Sequence, residues 1–259
     1  MAESTPADPL FSSIRYLPTN EAYDKWAEVY DSDGNFLQAL DDLELKRLFP
    51  RFLGSIRSPN PWRVVDLGCG TGRNTALLTN GVPDGAEIFA LDSSKGMLEV
   101  AKSRLAGSNR GLRFGIFDML VSPHGPADVA LGTVDGIIST LVAEHVPLPI
   151  FFAHVAQLLR PGGVLLLTNM HSDMGAISQA GFVDKVTGEK IRPTSYRHTV
   201  EDVRIEAQNA GLVVEDDENG DGIIERAVDE AMVEMLGFRS RKWVGVTCWF
   251  GGLFRKLDV

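Results

Sequence analysis

The segment Arg63-Val-Val-Asp-Leu-Gly-Cys-Gly-Thr-Gly-Arg-Asn-Thr75 sets an acid, Asp66, two residues ahead of three alternating glycines, Gly68, Gly70 and Gly72. Glycine adopts backbone angles that a Cβ forbids, so such a loop turns tightly and brings main-chain amides against a ligand. A helix starting near Arg73 adds the positive end of its dipole. The spacing is Gly-x-Gly-x-Gly, not the Gly-x-Gly-x-x-Gly of dinucleotide sites, and a carboxylate beside the first glycine repels a pyrophosphate. It can instead receive an ammonium, directly or through water, as on the amino-acid part of S-adenosylmethionine. Asp92 closes a second strand-like run, Ala86-Glu-Ile-Phe-Ala-Leu-Asp92, where a carboxylate can accept both hydroxyls of a ribose. Five histidines offer proton transfer near neutral pH. His145, His171 and His198 map to the carboxyl edge of the expected sheet, where open α/β folds bind ligands, and His145 or His171 is the favoured base. His154 falls in an apolar helical stretch as a packing residue and His124 in a loop.

The elements that must position these groups follow from periodicity. Residues 1 to about 20 are polar and proline-containing and read as a loose lead-in. Tyr23, Trp26 and Tyr30 then share one helical face, and leucines 37, 40, 43, 45 and 48 mark a second helical stretch from about 35 to 58. Residues 1–60 are thus expected to form a lead-in and helical cap, and residues 61–259 the main domain. Its core strands are centred on Val64-Val65, on 86–92, on Leu112–Asp118, on Val134–Thr140 and on the run after Arg160-Pro-Gly-Gly163. The stretch from Asn169 to His198 has weak periodicity, and about 171–198 reads as a substrate lid. Thr199 is expected to cap a helix through Ala210, with Asp202 in its first turn. Gly211–Asp216 reads as a sixth strand, Ile223–Met235 as a helix and Lys242–Phe254 as a last, antiparallel strand.

This order resembles the class I S-adenosylmethionine-dependent methyltransferases, whose first motif is similar to Val65-Asp-Leu-Gly-Cys-Gly-Thr-Gly72. The small-molecule group of the type 11 kind is the nearest in pattern. The resemblance implies a Rossmann-like α/β fold with seven strands, mostly parallel, an antiparallel last strand, helices on both faces and an N-terminal helical lid. It also implies the cofactor contacts. Asp92 would meet the ribose, Met97 the adenine face and Asp118 the adenine amino group, with Ser93 and Met119 among the further cofactor contacts. Asp66 would face the amino-acid end, Gly68, Cys69, Gly70, Gly72, Asn74 and Thr140 would be further cofactor contacts, and Tyr23 and Tyr30 would belong to the lid over the cofactor. The Tyr30 ring offers cation-π attraction near the sulfonium, together with a hydroxyl. A similar Leu-Val-x-Glu-His segment occurs in small-molecule methyltransferases. Many of them have Glu-Leu-His-Pro after the fifth strand, where this chain has Asn169-Met-His-Ser172.

The chain has 259 residues, a formal net charge of -10 and two cysteines. No dense basic stripe offsets that charge, so nucleic acid is not expected as a partner. No leader pattern or apolar span is apparent, and a cytoplasmic protein without membrane contact, monomeric or homodimeric, is expected. Two cysteines do not make a disulfide framework. A three-histidine metal site lacks a close-spaced ligand pair, and none is expected. Asp217-Glu-Asn-Gly-Asp-Gly222 opens like a calcium loop, but Val228 stands where the bidentate glutamate belongs. Ser139-Thr-Leu-Val142 replaces the Pro-Pro-Tyr type of motif used on planar nitrogens, and no Pro-Cys nucleophile appears. The expectation is methylation of a small organic acceptor, on oxygen in the first instance, by in-line transfer with a histidine as possible base. A repurposed, cofactor-binding relative and an NAD-dependent oxidoreductase are the alternatives.

Overall fold

Val64 and Val65, Ile137 and Ile138, and Leu165 and Leu166 are adjacent pairs of fully buried residues, as expected of strands covered on both faces. A computed structural model describes residues 14–108, 111–216, 220 and 222–258. Residues 1–13 of the lead-in, and Asp217, Asn219 and Asp221 of the calcium-like turn, lie outside the described residues. In chain order the elements are β1 (Ile14–Leu17), α1 (Thr19–Trp26), α2 (Phe36–Ser55), β2 (Arg63–Leu67), α3 (Arg73–Gly81), β3 (Glu87–Asp92), α4 (Lys95–Arg104), β4 (Leu112–Ile116) and β5 (Val134–Thr140). They continue with α5 (Leu148–Leu158), β6 (Leu159–Met170), α6 (Ser172–Ile177), β7 (Phe182–Val183), β8 (Lys190–Pro193), α7 (Val200–Asn209), β9 (Leu212–Glu215), β10 (Ile223–Ala227), α8 (Val233–Leu236) and β11 (Thr247–Lys256).

The main sheet runs β10-β11-β6-β5-β2-β3-β4. Neighbours from β6 to β4 are parallel, and β11 is antiparallel to β6, with Trp249 opposite Met170 and Arg255 opposite Val164. The outer edge of β11 is shared by β10, paired to Thr247–Gly252, and β9, paired to Leu253–Lys256. Eight strands therefore fill the seven expected positions. On one face Phe151, Phe152 and Val155 of α5 and Val203 of α7 pack with Val65, Ile137 and Leu165. On the other, Leu40, Leu45, Leu48 and Phe52 of α2 and Leu78 of α3 pack with Val64, Ile138 and Leu166. Among the described residues, no helix is long and apolar enough to cross a membrane.

Four expectations need correction. Ile14–Leu17 is not loose lead-in: it pairs in parallel with β8, and β8 pairs with β7 in a second, three-stranded sheet. The 171–198 stretch is accordingly built from α6, β7 and β8 rather than being irregular. Ile223–Met235 is not one helix, because Ile223 and Ile224 complete the open edge of β11 opposite Gly252 and Gly251. Helical and strand patterns are hard to separate over so short a run, and tertiary pairing decides. The last strand begins at Thr247, since residues Phe238–Trp243 coil as a 3-10 helix. The cap on α7 is as expected: Thr199 and Asp202 form a reciprocal capping box.

Candidate active site

The glycine loop joins β2 to α3 at the carboxyl edge of the sheet. Gly68 has φ +77°, and a Cβ there would lie 2.3 Å from Val142 Cγ2, so only glycine fits. Gly70, at φ +53°, is different, for nothing lies within 4 Å of the position a Cβ would take. That open side belongs to a cavity of about 710 Å³. Asp92, at the end of β3, points its carboxylate back at the loop and accepts from the Gly70 and Ser94 amides, both at 2.8 Å. Desolvation pushes its pKa up to about 6. Ser93, Met97, Asp118 and Met119 continue the same wall, with Asp118 Oδ1 held by the Leu120 amide at 2.9 Å. His154 donates to the Met119 carbonyl at 3.1 Å and so steadies this wall from behind, in keeping with a packing role.

Tyr23, Tyr30, Gly68, Thr140 and His145 complete the expected residues that line the cavity. Asp66, Cys69, Gly72, Asn74, His171 and His198 do not line it. Asp66 lies behind the loop, fully buried, and accepts from the Thr75 hydroxyl at 2.6 Å; burial raises its pKa to about 7. Burial likewise keeps the Cys69 thiol well above its ordinary pKa. Gly72 is the left-handed N-cap of α3, and Asn74 donates to the Thr140 hydroxyl at 2.6 Å. His171 caps α6: its Nδ1 accepts from the Asp173 amide at 3.1 Å, so its Nε2 carries the hydrogen and donates to Glu225 at 3.0 Å. His198 donates to the Val146 carbonyl and stacks on Tyr196. Among the described residues, no three His, Cys, Asp or Glu side chains converge as metal ligands.

Two groups of residues escape sequence reading. Arg73 follows the last glycine and donates to Thr140 at 3.0 Å and to Asp41 at 2.6 Å. Asp41 sits on the buried face of α2, fully enclosed, and also accepts from Thr168 at 2.6 Å and from Trp249 Nε1 at 2.8 Å. An acid amid an apolar helical face was the only available signal for it. The second group is Glu144, beside His145 and 3% exposed, whose Oε2 has no hydrogen-bond partner. Burial pushes its carboxyl up to about 8.

His145 is the one expected histidine at the cavity. Its Nδ1 lies 2.7 Å from the Thr194 carbonyl, which can only accept, so Nδ1 bears the hydrogen and Nε2 accepts from the Tyr23 hydroxyl at 2.8 Å. Burial lowers its pKa to about 4, partly opposed by the Thr194 contact. Tyr23 stacks on Trp26, which stacks in turn on Phe182, so β7 and α1 hold the phenol together. Tyr23, Tyr30 and Leu141 also line a second chamber of about 100 Å³ and so border both spaces. Leu141 is the only non-glycine residue with positive φ, +57°, among the described residues. Such a conformation costs about 1–2 kcal/mol and persists only where its surroundings enforce it.

The fold and the cleft at its carboxyl edge define a class I S-adenosylmethionine-dependent methyltransferase. A methyltransferase-domain family model of type 11 matches residues 65–167. An uncharacterized methyltransferase of Emericella nidulans is 49% identical over 259 residues, spanning 92% of this chain and 91% of the relative. The chain belongs to this methyltransferase family. A ubiquinone biosynthesis O-methyltransferase of Mesorhizobium japonicum is 29% identical over 165 residues, 60% of this chain and 63% of that one. Among solved structures, the DhpI–SAH complex superposes with a TM-score of 0.60 at 17% identity, covering 93% of this chain and 96% of that one, a likeness of fold.

Proposed function

We propose that the protein transfers a methyl group from S-adenosylmethionine to an oxygen of a small organic acceptor by in-line displacement. The observation that carries this reading is a single cavity lined by Asp92, Met97 and Asp118 at one end and by Tyr23, Tyr30, Thr140 and His145 at the other. The residues present fit the cofactor. Asp92, already oriented by two amides, accepts the ribose hydroxyls. Met97 covers the adenine face, Asp118 receives the adenine amino group, and the open side of Gly70 admits close approach. Arg73 holds Thr140 in place beside the amino-acid end, while Asp66 acts from behind the loop rather than by direct contact. Bound there, S-adenosylmethionine supplies an electrophilic methyl on a cationic sulfur.

The acceptor must be held close to that methyl and opposite the departing sulfur. Tyr23 is fixed for this by His145, which stays neutral near pH 7 and places no second cation beside the sulfonium. A histidine so weakly basic orients the phenol better than it removes a proton. Residues 14–60 of the cap and residues 171–198 of the lid are taken to act as one cover, because β1 is hydrogen-bonded to β8. The oxygen acceptor is supported by the name of the Mesorhizobium relative, and a small-molecule partner by the size of the cavity and the net charge of -10.

Thermal shift tests the reading. S-adenosylmethionine and S-adenosylhomocysteine raise the melting temperature and NADH does not. A response to NADH alone returns the chain to the oxidoreductase reading. Cofactor binding without methyl transfer to any acceptor points to the repurposed relative.

A further inference from the structure

Three cavities lie in a row. Tyr23, Tyr30 and Leu141 border both the cofactor-side cavity and the second chamber, so the two spaces meet at these residues, and the lining of the second chamber includes Glu144 and Asp33. Arg239 and Lys242 line that chamber and also line a third cavity of about 470 Å³ with Phe238 and Arg241. Phe238 is 80% exposed, so this last space opens at the surface. Glu144 Oε2 and Asp33 Oδ1 are buried without a hydrogen-bond partner, although the other Asp33 oxygen accepts from Trp26 at 2.8 Å. A buried polar atom left unpaired costs about 1–3 kcal/mol, and its persistence points to a polar group of a ligand. Among the described residues, Arg239 and Lys242 have no ion-pair partner: Arg239 donates to the Asp33 carbonyl, and Lys242 lies 5.2 Å from the centre of the Trp243 ring.

We propose that the second chamber is the acceptor subsite and that it takes a small hydroxylated anion, whose hydroxyl faces Glu144 and whose negative group meets Arg239 and Lys242. This rests on the methyl-transfer reading above. The acceptor oxygen forms the new O–CH3 bond, the S–CH3 bond breaks with its electron pair left on sulfur, and the hydroxyl proton passes to Glu144 Oε2. Burial tunes Glu144 to about 8, a match for a phenolic or enolic hydroxyl. The other groups facing it leave that role open. Tyr23 and Tyr30 are pushed above the ordinary tyrosine range, and His145 is pushed far below neutrality. Asp33, Arg239 and Lys242 are the remaining charged groups of the chamber. Because a carboxylate is the proton acceptor, kcat/KM rises with pH through about 8.

The test uses the full chain, methyl-labelled S-adenosylmethionine and a panel of small phenolic and enolic carboxylates, hydroxybenzoates among them. The expected product is retained on an anion exchanger, survives mild alkali and releases methyl iodide in hot hydriodic acid, as an ether does. A neutral labelled product, an alkali-labile methyl ester or label on nitrogen or carbon overturns the proposal. Calorimetry runs alongside. Failure to bind S-adenosylmethionine sinks the methyl-transfer reading itself, whereas binding without any labelled product sinks only this acceptor site. With the acceptor in hand, Glu144→Gln lowers kcat about 100-fold and abolishes the rise through about pH 8, with cofactor affinity unchanged. An unaltered pH profile removes Glu144 from the reaction. The double variant Arg239→Ser, Lys242→Ser raises KM about tenfold at constant kcat, roughly one charged hydrogen bond. An unchanged KM removes the two cations.

Discussion

Asp92 is oriented by the Gly70 and Ser94 amides within the protein itself, so its carboxylate requires no rearrangement to receive a ribose. Asp92→Ala is expected to weaken S-adenosylmethionine binding by about 1–3 kcal/mol, the worth of a charged hydrogen-bond pair, as read by calorimetry. Its raised pKa of about 6 adds a pH dependence: affinity falls as pH drops through about 6 and the acceptor oxygens protonate. A flat affinity between about pH 5 and 8 would remove Asp92 from the ribose role. Asp66 gives a different signature. Its folded pKa of about 7 lies above the ordinary 3.8, so the folded state holds the proton more tightly. Its contribution to stability is fully present below about pH 4 and is lost as pH rises through about 7. Asp66→Asn should therefore show a smaller fall in melting temperature over that interval than the parent protein. Asp92 and the glycines were legible as chemistry because type and spacing alone define what they can bind. Glu144 was not, since an acid beside a histidine looks ordinary until burial and a missing partner single it out.

At the scale of elements, short-range signals were reliable where the structure is local. Thr199 and Asp202 cap α7 as their spacing indicates, and Thr199→Ala is expected to cost about 1 kcal/mol, visible as a lower midpoint in urea. Gly68 gathers two local constraints, a left-handed φ and the side chain of Val142. Gly68→Ala should lose cofactor affinity and stability together. Pairing it with Val142→Ala relieves the 2.3 Å contact but not the backbone angle, so recovery is expected to be partial. Full recovery in the double variant would show that the clash alone mattered. Sequence patterns were misleading where an element depends on a distant partner. Ile223-Ile-Glu-Arg-Ala227 is a strand because β11 presents an unpaired edge, and Ile14–Leu17 is a strand because β8 lies alongside it.

Across the whole molecule, Asp41 and Arg73 tie the cap to the catalytic edge. Asp41 on α2 meets Arg73 at the head of α3, Thr168 on β6 and Trp249 on β11. Asp41→Ala leaves Arg73 paired with Asp42 alone and strips the acceptor from Thr168 and Trp249, so it is expected to destabilise the fold by about 1–3 kcal/mol in denaturant unfolding. A loss below about 0.5 kcal/mol would mean that Thr168 and Trp249 find other acceptors. The sheet joining β1 to β8 also predicts that cofactor slows amide exchange in residues 14–30 and 182–194 together, since cap and lid share hydrogen bonds. Protection of one segment alone would separate them. By itself the sequence determined the order of the core strands β2 to β6, the glycine loop and the strand-end acids, because backbone angles and side-chain alternation depend on near neighbours. Only the tertiary structure decided which histidine reaches the cavity, that Asp66 lies behind the loop, and that Glu144 is enclosed. Those outcomes depend on desolvation and contacts between residues far apart in the chain, and no spacing along it encodes them.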